Sequence, residues 1–417
     1  MNKNDCYLRK TCRMCLSTDI QKVMALTPTP IGNNFLEKEN IGEEEPVYPL
    51  DLYFCNRCHH LQLGHVVDPC VLYQNDYSYV SATSSHFVNH LREYADYMLK
   101  RFDLQPDTLV VDIGSNDGTC LRFFQDKQMR VLGVDPAENI ASKACSAGIE
   151  TIADFFSLEL AKRLKETHGQ AGLITSHNAC AHIDNLDSVI EGVHYMLADD
   201  GLFSMEVGYL YDVYKNTWFD TIYHEHLDYH TVEPLNYLFF RFNMEIVSIQ
   251  RVSPQGGSIR VISQKVGGKY KKDNSEQELI NMEKSAGLDK PETFHDFAEH
   301  IKTVRDNLTV LIRSLKKEGK TIAGFGAPTK ATTLMAHFGL GKEDLDFIVD
   351  DNPLKQGLLT PGTNIPVLSA DAIYEDRPDY LLILAWNFAE PIMKNHSRFL
   401  KEGGKFILPM PSPEIVG

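Results

Sequence analysis

Long apolar runs are missing from this 417-residue chain. None approaches the roughly 20 consecutive apolar residues of a membrane-spanning helix, and the polar opening MNKNDCYLRK is no secretion signal. Positive charge is also short: 41 Lys and Arg against 57 Asp and Glu leave a formal net charge of -16. Phosphate backbones demand a basic field, so nucleic acid is not expected as a partner. No H-E-x-x-H occurs, which excludes the i, i+4 histidine pair of a zinc protease. These absences predict a cytoplasmic protein that touches no membrane, with its nine cysteines mostly reduced. What remains, 43% hydrophobic and 24% charged residues, is ordinary globular composition, and the length allows roughly two to four domains.

Four of the cysteines are paired as Cys12-x-x-Cys15 and Cys55-x-x-Cys58. Each short hook offers two thiolates from one side, and four close the coordination sphere of a tetrahedral zinc. The 39 residues between the hooks exceed the usual ribbon spacing of about 15 to 20. His59 and His60 are possible competitors, but four thiolates need no help, and such a closed site holds a fold rather than doing chemistry. Unligated or redox-active cysteines are the alternative reading. Pro28, Pro30, Gly32, Pro46 and Pro49 punctuate the intervening stretch, which reads as a small, loop-rich module dependent on its metal. Cys6, Cys70, Cys120, Cys145 and Cys180 fit no metal spacing and are expected to be buried spectators.

The stretch from Thr108 to Pro136 reads as strand, glycine turn, helix and strand, the unit of a doubly wound α/β sheet. Gly114 and Gly118 let backbone approach a ligand, and Asp135 ends the second strand where an acid can grip ribose hydroxyls. The turn, G-S-N-D-G, is not the dinucleotide fingerprint G-x-G-x-x-G. Asp112 and Asp117 flank polar Asn116 and would repel a diphosphate, whereas a cationic sulfonium tolerates them. S-adenosylmethionine (SAM) is therefore favoured over a nicotinamide cofactor, with a bare structural turn as the alternative. Asp154-Phe155 closes the third strand, suited to hold an adenine by its amino group and its face. A fourth strand, Leu173 to Ser176, delivers His177 and His182 to the ligand face.

After the strand Gly201 to Val207 comes FDTIYHEHLDYH, residues 219–230, with more histidine, tyrosine and acid than a solvated loop needs. Acid–base chemistry is the favoured reading, with a polar interface or a metal as alternatives. Strict alternation would put Tyr223 and Glu225 on one face and His224 and His226 on the other, although a loop could turn both sets inward. Strands at Met244 to Ile249 and Gly257 to Ser263 look like an antiparallel hairpin closing the sheet, and helical linker text runs on to about Glu318. From Thr321 the strand, turn and helix pattern recurs as TIAGFGAPTK, now with Lys330 in place of acids, which suits a phosphate at a helix N-terminus. Asp350 to Asn352 and Lys355 to Gly357 could close over that ligand. Earlier in the chain, Tyr77, Tyr79 and Ser81 sit where a lid or substrate wall could form, with a plain aromatic contact between domains as the alternative.

Taken together, the two C-x-x-C pairs, DIGSNDGT, HNACAHI, FDTIYHEHLDYHT, GFGAPTK and DDNPLKQGLLTPGTNIPV resemble the nucleotide-sugar C-methyltransferases, typified by the C-3′-methyltransferases of branched deoxysugar biosynthesis. The resemblance covers essentially the whole chain in order. It implies a zinc-binding domain (1–73), a SAM-dependent Rossmann-like domain (74–265) and a second Rossmann-like, nucleotide-sugar-binding domain (266–417), in a monomer or weak dimer. It also implies that Cys12, Cys15, Cys55 and Cys58 bind zinc and that Tyr223, Glu225, His226 and His182 surround the reacting sugar, with His226 the favoured base. Tyr77 or Tyr79 falls near a substrate-side tyrosine. The C-terminal turn departs from the GYGA or K-G-N forms of many relatives. The expected reaction is methylation at carbon 3 of a nucleotide-linked 4-keto-6-deoxyhexose through an enolate, Lys330 holding the diphosphate. A zinc-ribbon methyltransferase acting on another acceptor and an NAD(P)-dependent nucleotide-sugar oxidoreductase are the competing classes.

Overall fold

Leu109–Ile113, apolar apart from Asp112, is a strand buried along its whole length because helices cover both faces of its sheet. Val110 faces Phe87, Leu91 and Met98 of the helix Ser85–Phe102, while Leu109, Val111 and Ile113 face a second layer that includes Leu160, Val193 and Leu235. The computed structural model describes residues 5–42, 44–73 and 80–417. Its central sheet has seven strands in the spatial order Met244–Val252, Ser258–Lys265, Leu197–Gly208, Ala171–His177, Leu109–Ile113, Arg130–Val134 and Thr151–Ile152. Ser258–Lys265 runs antiparallel to both neighbours, and the rest are parallel. The hairpin expected from the sequence thus closes the sheet. Strand order reverses between Leu109–Ile113 and Ala171–His177, so the crevice at their carboxyl ends is where a ligand belongs.

The C-terminal residues repeat the plan in six strands: Val367–Leu368, Ile348–Val349, Ile322–Phe325, Tyr380–Ile383, Lys405–Leu408 and Glu414–Val416. All pair in parallel except the last. Its own reversal lies between Ile322–Phe325 and Tyr380–Ile383, with the turns 326–330 and 384–388 at the carboxyl ends.

The N-terminal module supplies Ile20–Thr29, Tyr48–Cys55 and Leu61–Leu63 to an antiparallel sheet whose fourth strand, Asp228–Tyr229, comes from the histidine-rich segment. The zinc module therefore holds one end of that segment by backbone pairing.

The sequence reads as linker before residue 318, but the structure places a 27-residue helix there, Pro291–Lys317, that is part of the core. Its Phe294, Phe297, Ile301, Val304, Leu308, Ile312 and Leu315 recur every three or four residues and form one apolar stripe. The stripe joins the core of the N-terminal sheet to that of the C-terminal domain; Phe294 meets Phe54 with ring centroids 5.6 Å apart. The many lysines and glutamates that make this text look like a linker are its solvated face. Of the cysteines expected as buried spectators, Cys120 and Cys180 are buried, Cys6 is half-buried, and Cys70 and Cys145 are exposed. Among the described residues no helix is long and apolar enough to cross a membrane. Ile301→Ala should cost about 2–5 kcal/mol and lower the urea midpoint; an unchanged midpoint would mean that the helix is a detachable linker.

Candidate active site

The four knuckle cysteines come together with all sulfurs within 4.8 Å of one another and all four residues buried. Cys12 Sγ lies 3.5 Å from Cys58 Sγ and Cys15 Sγ lies 3.5 Å from Cys55 Sγ. Sulfurs around a tetrahedral zinc with bonds of about 2.3 Å stand about 3.8 Å apart, so the cluster fits the ion. The neighbouring histidines do not compete: His60 Nε2 pairs with Asp228 at 2.7 Å and His59 Nδ1 with Glu233 at 3.1 Å.

A cavity of about 750 Å³ extends from the switch point of the central sheet to that of the C-terminal sheet. At the central end, Gly114 has φ +73°, and a Cβ there would stand 2.5 Å from the Ala179 Cβ, so only glycine lets the two strand ends meet. Asp135 lines the wall and accepts from the backbone N–H of Asn116 (2.9 Å) and Ala137 (3.0 Å), which fixes the turn and leaves one lone pair on each oxygen. Asn116 accepts from Ser81 N–H at 2.9 Å, and Asp117 accepts from Thr119 and Ala82. Gly118, φ +78°, opens the helix Thr119–Gln125. Asp112 is buried; burial pushes its carboxyl up, and its Oδ1 has no hydrogen-bond partner among the described residues. His177 lies nearby, its Nδ1 3.9 Å from that oxygen. Phe155 and Phe156 line the cavity, but Asp154 turns away and pairs with Arg163 on the surface at 3.0 Å. This acid-lined, aromatic-walled crevice suits SAM: it offers carboxylates to a cation and hydroxyl donors, and no positive charge to a diphosphate.

Residues 219–230 supply the middle of the cavity. The segment is irregular, so Tyr223, Glu225 and His226 all reach the cavity while His224 turns away and bonds the Tyr48 carbonyl at 3.1 Å. His226 Nδ1 stands 2.8 Å from the Thr221 carbonyl, which only accepts, so the proton is on Nδ1. Nε2 is then the basic nitrogen and accepts from the Tyr223 hydroxyl at 2.9 Å. Burial pulls the His226 pKa down to about 4, opposed by the bond to Thr221. His182 is pulled down to about 3 by burial and then by His226, whose ring centre lies 5.0 Å away. Both rings are neutral near pH 7. His182 Nδ1 bonds the Tyr73 hydroxyl at 3.1 Å. Glu225 is buried and its carboxyl pushed up to about 7, with Asn33 Nδ2 donating to it at 3.1 Å. Asn33 in turn accepts from Thr329 Oγ1 at 2.6 Å, so one amide links the glutamate to the start of the C-terminal helix Thr329–Phe338. Gly32 makes that contact possible: a Cβ on it would stand 2.6 Å from the Thr329 carbonyl oxygen. Lys330 also lines the cavity but is not free: its Nζ lies 3.6 Å from Asp220 Oδ2 and 4.8 Å from the Trp386 ring centre. Tyr77 and Tyr79 lie outside the described residues.

Family models match most of this chain: a zinc binding domain over residues 12–73, a methyltransferase domain over 85–249 and a C-methyltransferase C-terminal domain over 253–411. Over 405 residues it is 38% identical to C-methyltransferase NovU of Streptomyces niveus, covering 97% of this chain and 96% of that one. The chain belongs to the C-methyltransferase family. It is a SAM-dependent enzyme with a zinc-binding module. Solved structures similar to part of this C-methyltransferase include a SAM-dependent methyltransferase from Clostridium acetobutylicum (13% identity, 43% of this chain and 92% of that one, TM-score 0.35). Another is the magnesium protoporphyrin IX methyltransferase of Synechocystis (12% identity, 46% and 86%, TM-score 0.33).

In this C-methyltransferase Asp112, Gly114, Asn116, Asp135, Phe155, His182, Tyr223, Glu225, His226 and Lys330 all line the one cavity. Sequence reasoning did not find Asn33, Tyr73, Trp218 and Asn387, which line the same space. The P-I-G-N-N-F run around Asn33 carried a signal in its glycine, which marks a close approach, but not what it approaches. Metal analysis of the purified enzyme should find a single zinc per chain, and Cys12→Ser should lose it and destabilise the module. In histidine-labelled protein, the ring that disappears in His226→Asn should carry the neutral Nδ1–H signature from about pH 8 to about pH 5, protonating only towards about 4. Titration near the ordinary histidine value of 6.5 would refute the buried, neutral state.

Proposed function

We propose that this C-methyltransferase acts at carbon 3 of a nucleotide-linked 4-keto-6-deoxyhexose in branched deoxysugar biosynthesis, as a cytoplasmic monomer or weak dimer divided near residues 73 and 265. One observation carries the reading: a neutral histidine with its basic nitrogen turned to a phenol stands in a cavity shared by two Rossmann-like switch points. A sugar carbon becomes acidic only beside a carbonyl, so carbon methylation requires a ketone neighbour and a base. His226 Nε2 takes the carbon 3 proton, and the electron pair moves into the enolate with the 4-oxygen. Tyr223 re-aims its hydroxyl from Nε2 to that oxygen, where charge grows only at the transition state, and His182 stands on the same side. SAM, when bound, would supply the electrophilic methyl group that carbon 3 takes up as the sulfur–methyl bond breaks, and His226 passes its proton to solvent before the next turnover.

Glu225 is held by Asn33 rather than by His226, so in this reading it grips a sugar hydroxyl and orients the ring. Lys330 and the N-terminus of the helix Thr329–Phe338 take the diphosphate, with Asp220 holding the lysine in place until it arrives. Burial lowers the lysine pKa and Asp220 opposes the shift. Remote binding energy then orients the sugar without contact at the reacting carbon.

Incubation with SAM and a panel of dTDP-, GDP- and CDP-linked 4-keto-6-deoxysugars should add one methyl group to one member by mass spectrometry. No gain on any member, with SAM bound, would end the sugar reading. His226→Asn should lower turnover by about 10²–10⁴-fold with SAM affinity unchanged; full activity would remove it as the base. Lys330→Ala should raise KM for the nucleotide sugar, and an unaltered KM would exclude the diphosphate contact.

A further inference from the structure

The first zinc hook is Cys12-Arg13-Met14-Cys15, and Arg13 is 1% exposed. Its Nη2 has no hydrogen-bond partner among the described residues, so the contacts of Nε and Nη1 are what offset the burial and show what the side chain holds. Nε donates to Asp184 Oδ1 at 2.8 Å. Nη1 donates to the Leu63 carbonyl at 2.9 Å and the Leu227 carbonyl at 3.3 Å, and lies 3.9 Å from Asp228 Oδ1. The backbone N–H of Arg13 is itself fixed by Gln62 Oε1 at 2.8 Å.

These partners flank the two histidines. Leu227 directly follows His226, and Asp184 stands two residues after His182. The two segments also meet directly, Leu227 N–H donating to the Ala181 carbonyl at 2.8 Å and the His182 and His226 ring centres lying 5.0 Å apart, while Leu227's carbonyl accepts from Leu63 N–H of the N-terminal module at 2.8 Å. Asp184 is gathered further by Arg9 and by the Tyr7 hydroxyl, both from the same N-terminal stretch.

We propose that Arg13 is a positioning residue which, rooted between two zinc ligands, sets the segment carrying His182 against the segment carrying His226. The inference rests on the roles given to those histidines in the proposed reaction. It turns the zinc site from a prop for one module into the fixed point from which the base is aimed. The planar fork is what the task needs: Nε takes a carboxylate while Nη1 takes two carbonyls, and a lysine, with its three donors on one nitrogen, cannot hold acceptors set that far apart. Misplacement of reacting groups by about 1 Å is enough to cost about 100-fold in rate.

The test uses the full-length enzyme and two variants, Arg13→Lys and Asp184→Asn, with zinc content, SAM affinity, the kcat and KM of methyl transfer, and the ring NMR signals of His182 and His226. Both variants should keep their zinc and SAM affinity. In Arg13→Lys, kcat should fall about 100-fold with KM little changed, Asp184→Asn should fall less, and both ring signals should move while that of distant His396 stays. Zinc-loaded variants with wild-type kcat and unmoved rings would overturn the proposal. So would a rise in KM alone, or loss of zinc and SAM binding in both variants, which would reduce Arg13 to general folding. Should Arg13→Lys fail to fold, Asp184→Asn decides, because its side chain is 19% exposed and the change is isosteric. Should the wild type methylate no sugar of the panel, the reaction reading fails separately, and the ring signals still report whether Arg13 aims the histidines.

Discussion

Residues 219–230 carry the densest chemistry in the protein and almost no regular structure, so their conformation depends on anchors supplied from outside. Asp220 is held by Lys330 and by the Trp386 indole N–H at 2.7 Å, both from the C-terminal domain. His224 is held by the Tyr48 carbonyl, Glu225 by Asn33, and Leu227 and Asp228 by Arg13 and His60, all from the N-terminal module. An irregular segment pinned at each end and in its middle by two flanking domains has the precision of a rigid element without the periodicity of one. Those anchors also decide that Tyr223, Glu225 and His226 point the same way, which neither a strand nor a helix of this sequence would allow.

The same enclosure sets the electrostatics. Burial moves His182 and His226 down and Glu225 up, in each case towards the neutral form. A neutral imidazole with its Nδ1 proton committed to Thr221 has a single nitrogen left to act as a base. These neutral groups face a space of low dielectric, where their hydrogen bonds are strengthened.

Two Rossmann-like sheets open onto one cavity, and their turns differ in charge as their ligands would. The central turn carries Asp112, Asp117 and Asp135, and the C-terminal turn carries Lys330. The helix Pro291–Lys317 maintains this arrangement by packing its apolar stripe into the core shared by the N-terminal sheet and the C-terminal domain.

Local rules reach some of these features and not others. Two C-x-x-C hooks announce a zinc site because four thiolates at short spacing have few other uses, and short apolar runs ended by glycine turns announce two Rossmann-like units because backbone sterics and apolar runs are local properties. The density of histidine, tyrosine and acid in residues 219–230 marks the reactive segment for the same reason. Which side chains meet is not local. Asp154 follows its strand end as an adenine-binding acid would, yet turns to Arg163, while its neighbours Phe155 and Phe156 turn inward. Lys330 reads as a phosphate ligand at a helix N-terminus, and the structure sets it half-buried beside Asp220, 110 positions away in the chain. Asn33 and Arg13 give no catalytic signal of their own, because what they do depends on Glu225, Asp184 and Leu227, which tertiary packing brings to them. The sequence by itself determined the zinc-binding cysteines, the two sheets and the histidine-rich segment, since each is written in short-range spacing. Only the tertiary structure decided how that segment is aimed, since aim is a matter of contacts between residues that the chain keeps far apart.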